Sequence, residues 1–227
     1  MKKLVAVWLV GLLLVGCEIG DDPSKSDSKE EASSPSREAE ASEWPDLRDP
    51  QALSAVAEKA FERERHAFEK GPDGLLLLGE YSPFTGWLKV TRANGQLEGI
   101  WHLEGGKLHG PGAFWYPNGQ MQSLGYFNNG LHEGRFSDWI DSGQEISRMY
   151  FKDDQLDGLS LAWYWNGQRS TEEIYREGRL VAAMAWTSNG LECPLSRVKN
   201  GNGLLVLYHG DGTIDRKIEF RNGLEVE

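Results

Sequence analysis

Only two cysteines, Cys17 and Cys193, occur among the 227 residues. At most one disulfide is possible, which excludes a small, disulfide-stapled fold. Long hydrophobic runs are equally scarce. The one at the N-terminus, Leu4 to Leu14, falls short of the roughly 20 residues that a membrane-spanning helix needs. Positive charge is in deficit: 24 Lys and Arg stand against 35 Asp and Glu, for a formal net charge of −11. Binding to nucleic acid through phosphates requires a surplus of Lys and Arg, so nucleic acid is excluded as a primary partner. Catalytic and cofactor motifs are missing too. No HExxH, GxSxG, P-loop or strand–GxGxxG–helix pattern is present. The histidines His66, His102, His109, His132 and His209 show no paired-ligand spacing, and His109 and His132 differ in register. Gly201-Asn202-Gly203 reads as a tight turn, and Glu172-Glu173 and Asp153-Asp154 as solvated strand ends or turns. Neither an enzyme nor a cofactor-binding protein is expected.

The N-terminus carries the most specific signal. Lys2 and Lys3 precede the apolar run, and Leu14-Val15-Gly16-Cys17 closes it, which reads as a cleavable export signal over residues 1–16. The closing tetrapeptide resembles the bacterial lipobox, which implies acylation of Cys17 after cleavage. Loss of Lys2 and Lys3 would take the charge from −11 to −13. A single acyl chain anchors only marginally, so stable attachment needs more than one. With Cys17 lipidated, Cys193 has no partner, and a packed apolar role is favoured over a reactive thiol. Residues 17–45 form an acidic, Ser- and Glu-rich stretch with too few apolar residues to fold, read as a tether. Glu18 rather than Asp after the cysteine favours the outer membrane over the inner, with the protein facing the periplasm or the cell surface.

An amphipathic helix is expected over residues 46–74. Asp49 suits the N-cap and Pro50 the first turn. Leu53, Val56, Ala57, Ala60, Phe61, Ala67 and Phe68 share one face at helical spacing. Gly71-Pro72-Asp73-Gly74 closes the helix, which is expected to cap one end of the folded region beyond it; Leu75 to Tyr81 reads as an incomplete opening strand.

Residues 75–227 are a repeat. Turn glycines recur at Gly95, Gly119, Gly143, Gly167, Gly190 and Gly212, at spacings of 24, 24, 24, 23 and 22. Four residues before each stand Thr91, Trp115, Trp139, Trp163, Trp186 and Tyr208. Eight after each stand Leu103, Phe127, Phe151, Tyr175, Val198 and Phe220, and eleven after comes a second turn at Gly106, Gly130, Asp154, Gly178, Gly201 and Gly223. A further glycine opens most units, at Gly86, Gly110, Gly134, Gly158 and Gly203, with Ala182 in the fifth. Asn-Gly and Asp-Gly between apolar runs signal hairpins whose two central residues take positive φ. The expected fold is therefore mainly β: a single-layer antiparallel sheet of about six tandem hairpins after one helix. Units of this kind become stable by stacking on their neighbours.

The pattern G-x-x-x-x-W/Y-x-x-N-G-Q followed by an aromatic and a second turn resembles the MORN-repeat variant of bacterial proteins often labelled toxin–antitoxin system antitoxins. The likeness covers about residues 84–224. It departs at Asp154, at Ala182, at Glu192-Cys193-Pro194 and in the shortened sixth copy. Gly119-Gln120-Met121 through Gly125-Tyr126-Phe127 also resembles choline-binding cell-wall repeats, but the glycine–tryptophan pair of those units occurs here only at Gly86-Trp87. The expected function is a membrane-anchored, non-catalytic scaffold binding a protein or a polymer such as a polysaccharide. The alternatives are an antitoxin-like immunity protein, which only the family label implies, and a cell-wall glycan binder. Trp115, Trp139, Trp163 and Trp186 are the candidate ligand face, with a role as repeat core favoured. Tyr116, Tyr164 and Trp165 alternate to the opposite face on this reading.

Overall fold

The structure, a computed structural model, describes residues 44–62, 68–71, 74–77 and 83–226. Cys17, the signal, His66 and nearly all of the tether therefore lie outside the described residues. The chain from Trp44 runs through one helix, α1 (Pro50–Lys59), into β1 (Phe61–Glu62) and a separate hairpin of β2 (Phe68–Gly71) and β3 (Gly74–Leu77). Six units come next. They are β4 (Gly86–Thr91) with β5 (Leu97–Glu104), β6 (Lys107–Trp115) with β7 (Met121–Asn128), and, after the short β8 (Leu131–His132), β9 (Gly134–Trp139) with β10 (Glu145–Lys152). After β11 (Gln155–Leu156) come β12 (Gly158–Trp163) with β13 (Arg169–Arg176), β14 (Arg179–Trp186) with β15 (Glu192–Lys199), and β16 (Asn202–Tyr208) with β17 (Ile214–Arg221); β18 (Leu224–Val226) ends the chain. Strand order follows chain order from β4 to β18 in one antiparallel sheet, with β1 added in parallel beside β4.

The helix is real but short. Asp49 caps it, accepting from the Gln51 amide, and it ends at Lys59, with Ala60 extended at φ −69°, ψ 139°. Phe61 and Glu62 then pair with Leu88 and Lys89 on the edge of β4, so the expected helix over residues 46–74 is corrected. Covering an open sheet edge satisfies backbone groups that helix propagation would leave exposed there. Gly71 and Gly74, read as part of a helix stop, are paired strand residues: Gly71 pairs with Gly74 and Phe68 with Leu77. Of the residues read as an opening strand, Leu75 to Leu77 pair within this two-stranded sheet, and the rest lie outside the described residues.

The two turn families divide the positive-φ work differently from the sequence expectation. At the first turns only glycine is left-handed, with Gly95, Gly119, Gly143 and Gly167 at φ 82–86°. The loop is a type I turn closed by a glycine bulge: Gly119 N donates to Tyr116 O and Tyr116 N to Gln120 O. The asparagine acts through its side chain, as Asn118 Oδ1 accepts from Gln120 N, an Asx turn that tolerates ordinary φ. The paired positive φ expected at Asn-Gly appears at the second turns, such as Asn129 and Gly130 at 51° and 89°. Asp154 holds φ 64° without being glycine, and its Oδ1 accepts from the His132 amide at 2.6 Å.

Both margins are stapled between neighbouring units. At the second turns, Gly130 N donates to Leu108 O, Asp154 N to His132 O and Gly178 N to Leu156 O. At the first turns, Arg92 Nη2 donates to Trp115 O, Tyr116 Oη to Trp139 O and Tyr164 Oη to Trp186 O. Tyr116 and Tyr164 therefore sit in turns rather than on the opposite strand face.

Pairing register sorts side chains onto two faces. The back face carries a chain of rings in edge-to-face contact: Trp101 with Phe114 at 4.8 Å, then Phe127, Phe136 and Phe151 at 6.4 and 6.3 Å. Glycine makes room for them. A Cβ on Gly125 would lie 2.1 Å from Phe136, and one on Gly112 2.7 Å from Trp101. The unit-opening glycines Gly86, Gly110, Gly134 and Gly158 stand opposite Leu103, Phe127, Phe151 and Tyr175. A second apolar cluster on this face gathers Leu180, Ala183, Val198, Leu205 and Ile218.

Candidate functional site

The front face carries the tryptophan column, and the segment Trp44–Ala60 lies on it as a strap. Leu47, 1% exposed, packs with Val56, Ala60, Ile100, Ala113, Leu124 and Trp115. Trp44 reaches Trp87, His102 and His109, with ring centroids 6.3, 4.8 and 5.9 Å away. Lys89 Nζ donates to Ala57 O at 3.0 Å, fixing the helix over β4. Sequence reasoning placed the helix face correctly at Leu53, Val56, Ala57 and Ala60. Trp44 and Leu47, ahead of the cap, were missed. An aromatic and a leucine flanking Asp46 were the only signal that the polar tether had ended.

The column is divided by the strap. Trp115 is 7% exposed beneath it, and Trp139 is half-buried at the edge of the same cluster. Beyond that edge the face opens. Leu159 and Ile174, paired across β12 and β13, are 38% and 42% exposed. Trp163 and Trp186 are half-buried, each with a guanidinium over its ring, Arg148 and Arg169 respectively, at 5.6 Å. Cation–π contacts of this kind hold the rings in place while leaving their edges accessible. Trp165, at the tip of the fourth turn, is 82% exposed, so it stands off both faces.

Charges cluster where the strap begins. Arg48 donates to both Asp46 oxygens at 2.8 Å, and this pair holds the Asp46 carboxyl below its usual range, with the more distant Arg135 adding to the effect. Arg135 and Arg148 both bond Glu145. Burial alone would raise the Glu145 carboxyl, but those donors lower it overall. On the back face burial raises Asp138, and the hydroxyl of Ser147, which donates to Oδ2 at 2.9 Å, partly offsets it.

His102 Nδ1 lies 2.9 Å from His109 O and His132 Nδ1 2.8 Å from Asp154 Oδ1, pairings that use the rings structurally. Among the described residues no group of three or more His, Cys, Asp or Glu could hold a metal ion. No described helix is long and apolar enough to cross a membrane. Cys193 is 2% exposed, and its Sγ sits 2.9 Å from Tyr208 Oη. The turn glycines lie at the array margin, where the glutamine of one unit packs on the glycine of the next: Gln120 on Gly143, Gln144 on Gly167 and Gln168 on Gly190. No protein-family model matches the chain, and no curated protein does either.

Proposed function

We propose that this protein is a lipid-anchored scaffold of the bacterial envelope, related to MORN-variant repeat proteins, which binds a protein or polymer on the open part of its front face. The observation that carries the binding reading is the division of the tryptophan column. The strap buries Trp115, while Leu159, Ile174 and the arginine-topped Trp163 and Trp186 remain accessible. Exposed apolar and aromatic groups rimmed by charge are the usual composition of an interaction surface. Repeat arrays present such surfaces over several units. The anchor rests on the Leu14–Cys17 motif. A Cys17→Ser chain should lose labelling by a lipid precursor and leave an unprocessed or soluble species; unchanged labelling would overturn the anchor.

The binding reading is tested in cells producing the full-length protein. A photo-crosslinking residue at Leu159 on the front face is compared with one at Glu173 on the back. A discrete adduct at Leu159 that is lost in Trp163→Ala/Trp186→Ala is expected. Equal labelling of the two faces would remove the reading.

A further inference from the structure

From Arg135 to Arg221 the chain has eleven Lys and Arg residues, and ten of them stand on the front face; Arg216 is the exception. The strand carboxylates on that face are fewer: Glu145, Glu172, Glu192 and Glu219, with Asp215 alternating with Lys217 to the same side. In a chain of net charge −11 this face carries more strand cations than strand carboxylates. Lys152, Arg176, Arg197, Lys199 and Lys217 are exposed and join no ion pair among the described residues. Arg176 stands directly opposite Arg179, a cross-strand like-charge pair that costs stability.

The cations are also ordered. Lys152, Arg176, Lys199 and Arg221 each precede the second turn of successive units and form a row along one margin. Neighbours in the row are two strands apart, or about 9.5 Å. Beside the row lie Leu159, Ile174 and Ala182, paired in register across three strands. A polyproline-II segment turns once every three residues and advances about 9.3 Å per turn, so every third side chain would meet one cation of the row. The molecule already shows that this face accepts polypeptide. The strap lays Trp44 and Leu47 on units one and two and sets Asp46 near Arg135.

We propose that the uncovered front face of units three to six docks an extended, polyproline-II-like segment of another protein, with a carboxylate at every third residue set on the cation row and apolar side chains against Leu159 and Ile174. The inference rests on the reading of this face as the binding surface and names its partner. A carboxylate on each cation would relieve the repulsion between Arg176 and Arg179.

The test uses the full chain in detergent and a fluorescent peptide of Glu-Pro-Leu triplets, read by anisotropy. A Lys-Pro-Leu peptide and a peptide of the same composition with its glutamates clustered are the controls. Binding of the Glu-Pro-Leu peptide is expected to weaken with salt. It should fall at least tenfold in Arg176→Glu/Lys199→Glu and in a second pair, Lys152→Glu/Arg197→Glu, whose urea melts verify folding. Equal binding by the clustered peptide, or no loss in either folded double variant, overturns the proposal. Polygalacturonate and phosphatidylglycerol vesicles complete the set. If one of these binds in a reversal-sensitive way while the peptide does not, the peptide partner is overturned and the front face stands as the binding surface. If no probe binds, both readings fall.

Discussion

Glycine serves two separate purposes in this sheet, and substitution separates them. Gly95 needs its left-handed φ of 82° and has open space where a Cβ would go, whereas Gly125 has ordinary backbone and a ring 2.1 Å from that point. Gly95→Ala should cost about 1–2 kcal/mol through backbone strain. Gly125→Ala should cost about 1–3 kcal/mol through forced repacking of Phe136. Urea melts measure both, and only the second loss should shrink when Phe136 is also truncated to Leu. Asp138 offers a pH test. Its folded-state carboxyl is raised, chiefly by burial, so the native chain holds a proton that the unfolded chain has released. Stability contributed by the protonated form is present below the unfolded value and is lost as pH rises through the folded one. Asp138→Asn should therefore stabilise the protein at neutral pH and leave it unchanged near pH 3. A neutral-pH melt that does not rise would contradict the burial of this carboxyl. The glycine columns were legible as columns because their spacing is regular. Which of them served φ and which served space was not, since that depends on the ring lying across the neighbouring strand.

At the scale of elements, the strap decides what the tryptophans do. Trp115→Ala removes a ring buried with Leu47 and Val56 and should cost about 3–5 kcal/mol. Trp163→Ala, on the open stretch, should cost well under half of that, with Trp139→Ala in between. Chemical denaturation of the three variants checks the order, and equal losses along the column would mean that the open stretch is core after all. The sequence pattern showed the hairpins, their number and the column. It overran the helix, because Phe61 and Phe68 continue the helical spacing while the pairing of Phe61 with Leu88 is a tertiary choice. Periodicity cannot see an open edge waiting to be covered.

At the scale of the whole molecule, the two ends of the sheet are protected unequally. On its outer side β4 has the two residues of β1 and lies under α1, whereas β17 has on its outer side the three residues of β18 and no helix over it among the described residues. Because each unit contacts mainly its neighbours, stability is approximately a sum of local terms, and opening should begin where partners are fewest. Native-state hydrogen exchange should show the amides of β17 and β18 exchanging before those of β5 to β7. Uniform protection from end to end would mean that the array opens as one unit. The gathering of Lys and Arg on one face belongs to this scale as well. It was invisible in the sequence, where Lys and Arg are scattered, because only the strand register assigns them to a side.

The strap's place in the chain also gives the molecule a mechanical order. Trp44 and Leu47 precede every strand of the sheet in the chain, so tension passed along the chain from the N-terminal side reaches them before it reaches the strands. Pulled from one end, such a segment detaches a contact at a time, which takes less force than shearing hairpins stapled at both margins. The weak link in series is thus the cover over Trp115, and a load would lengthen the uncovered face before it broke a single strand pair.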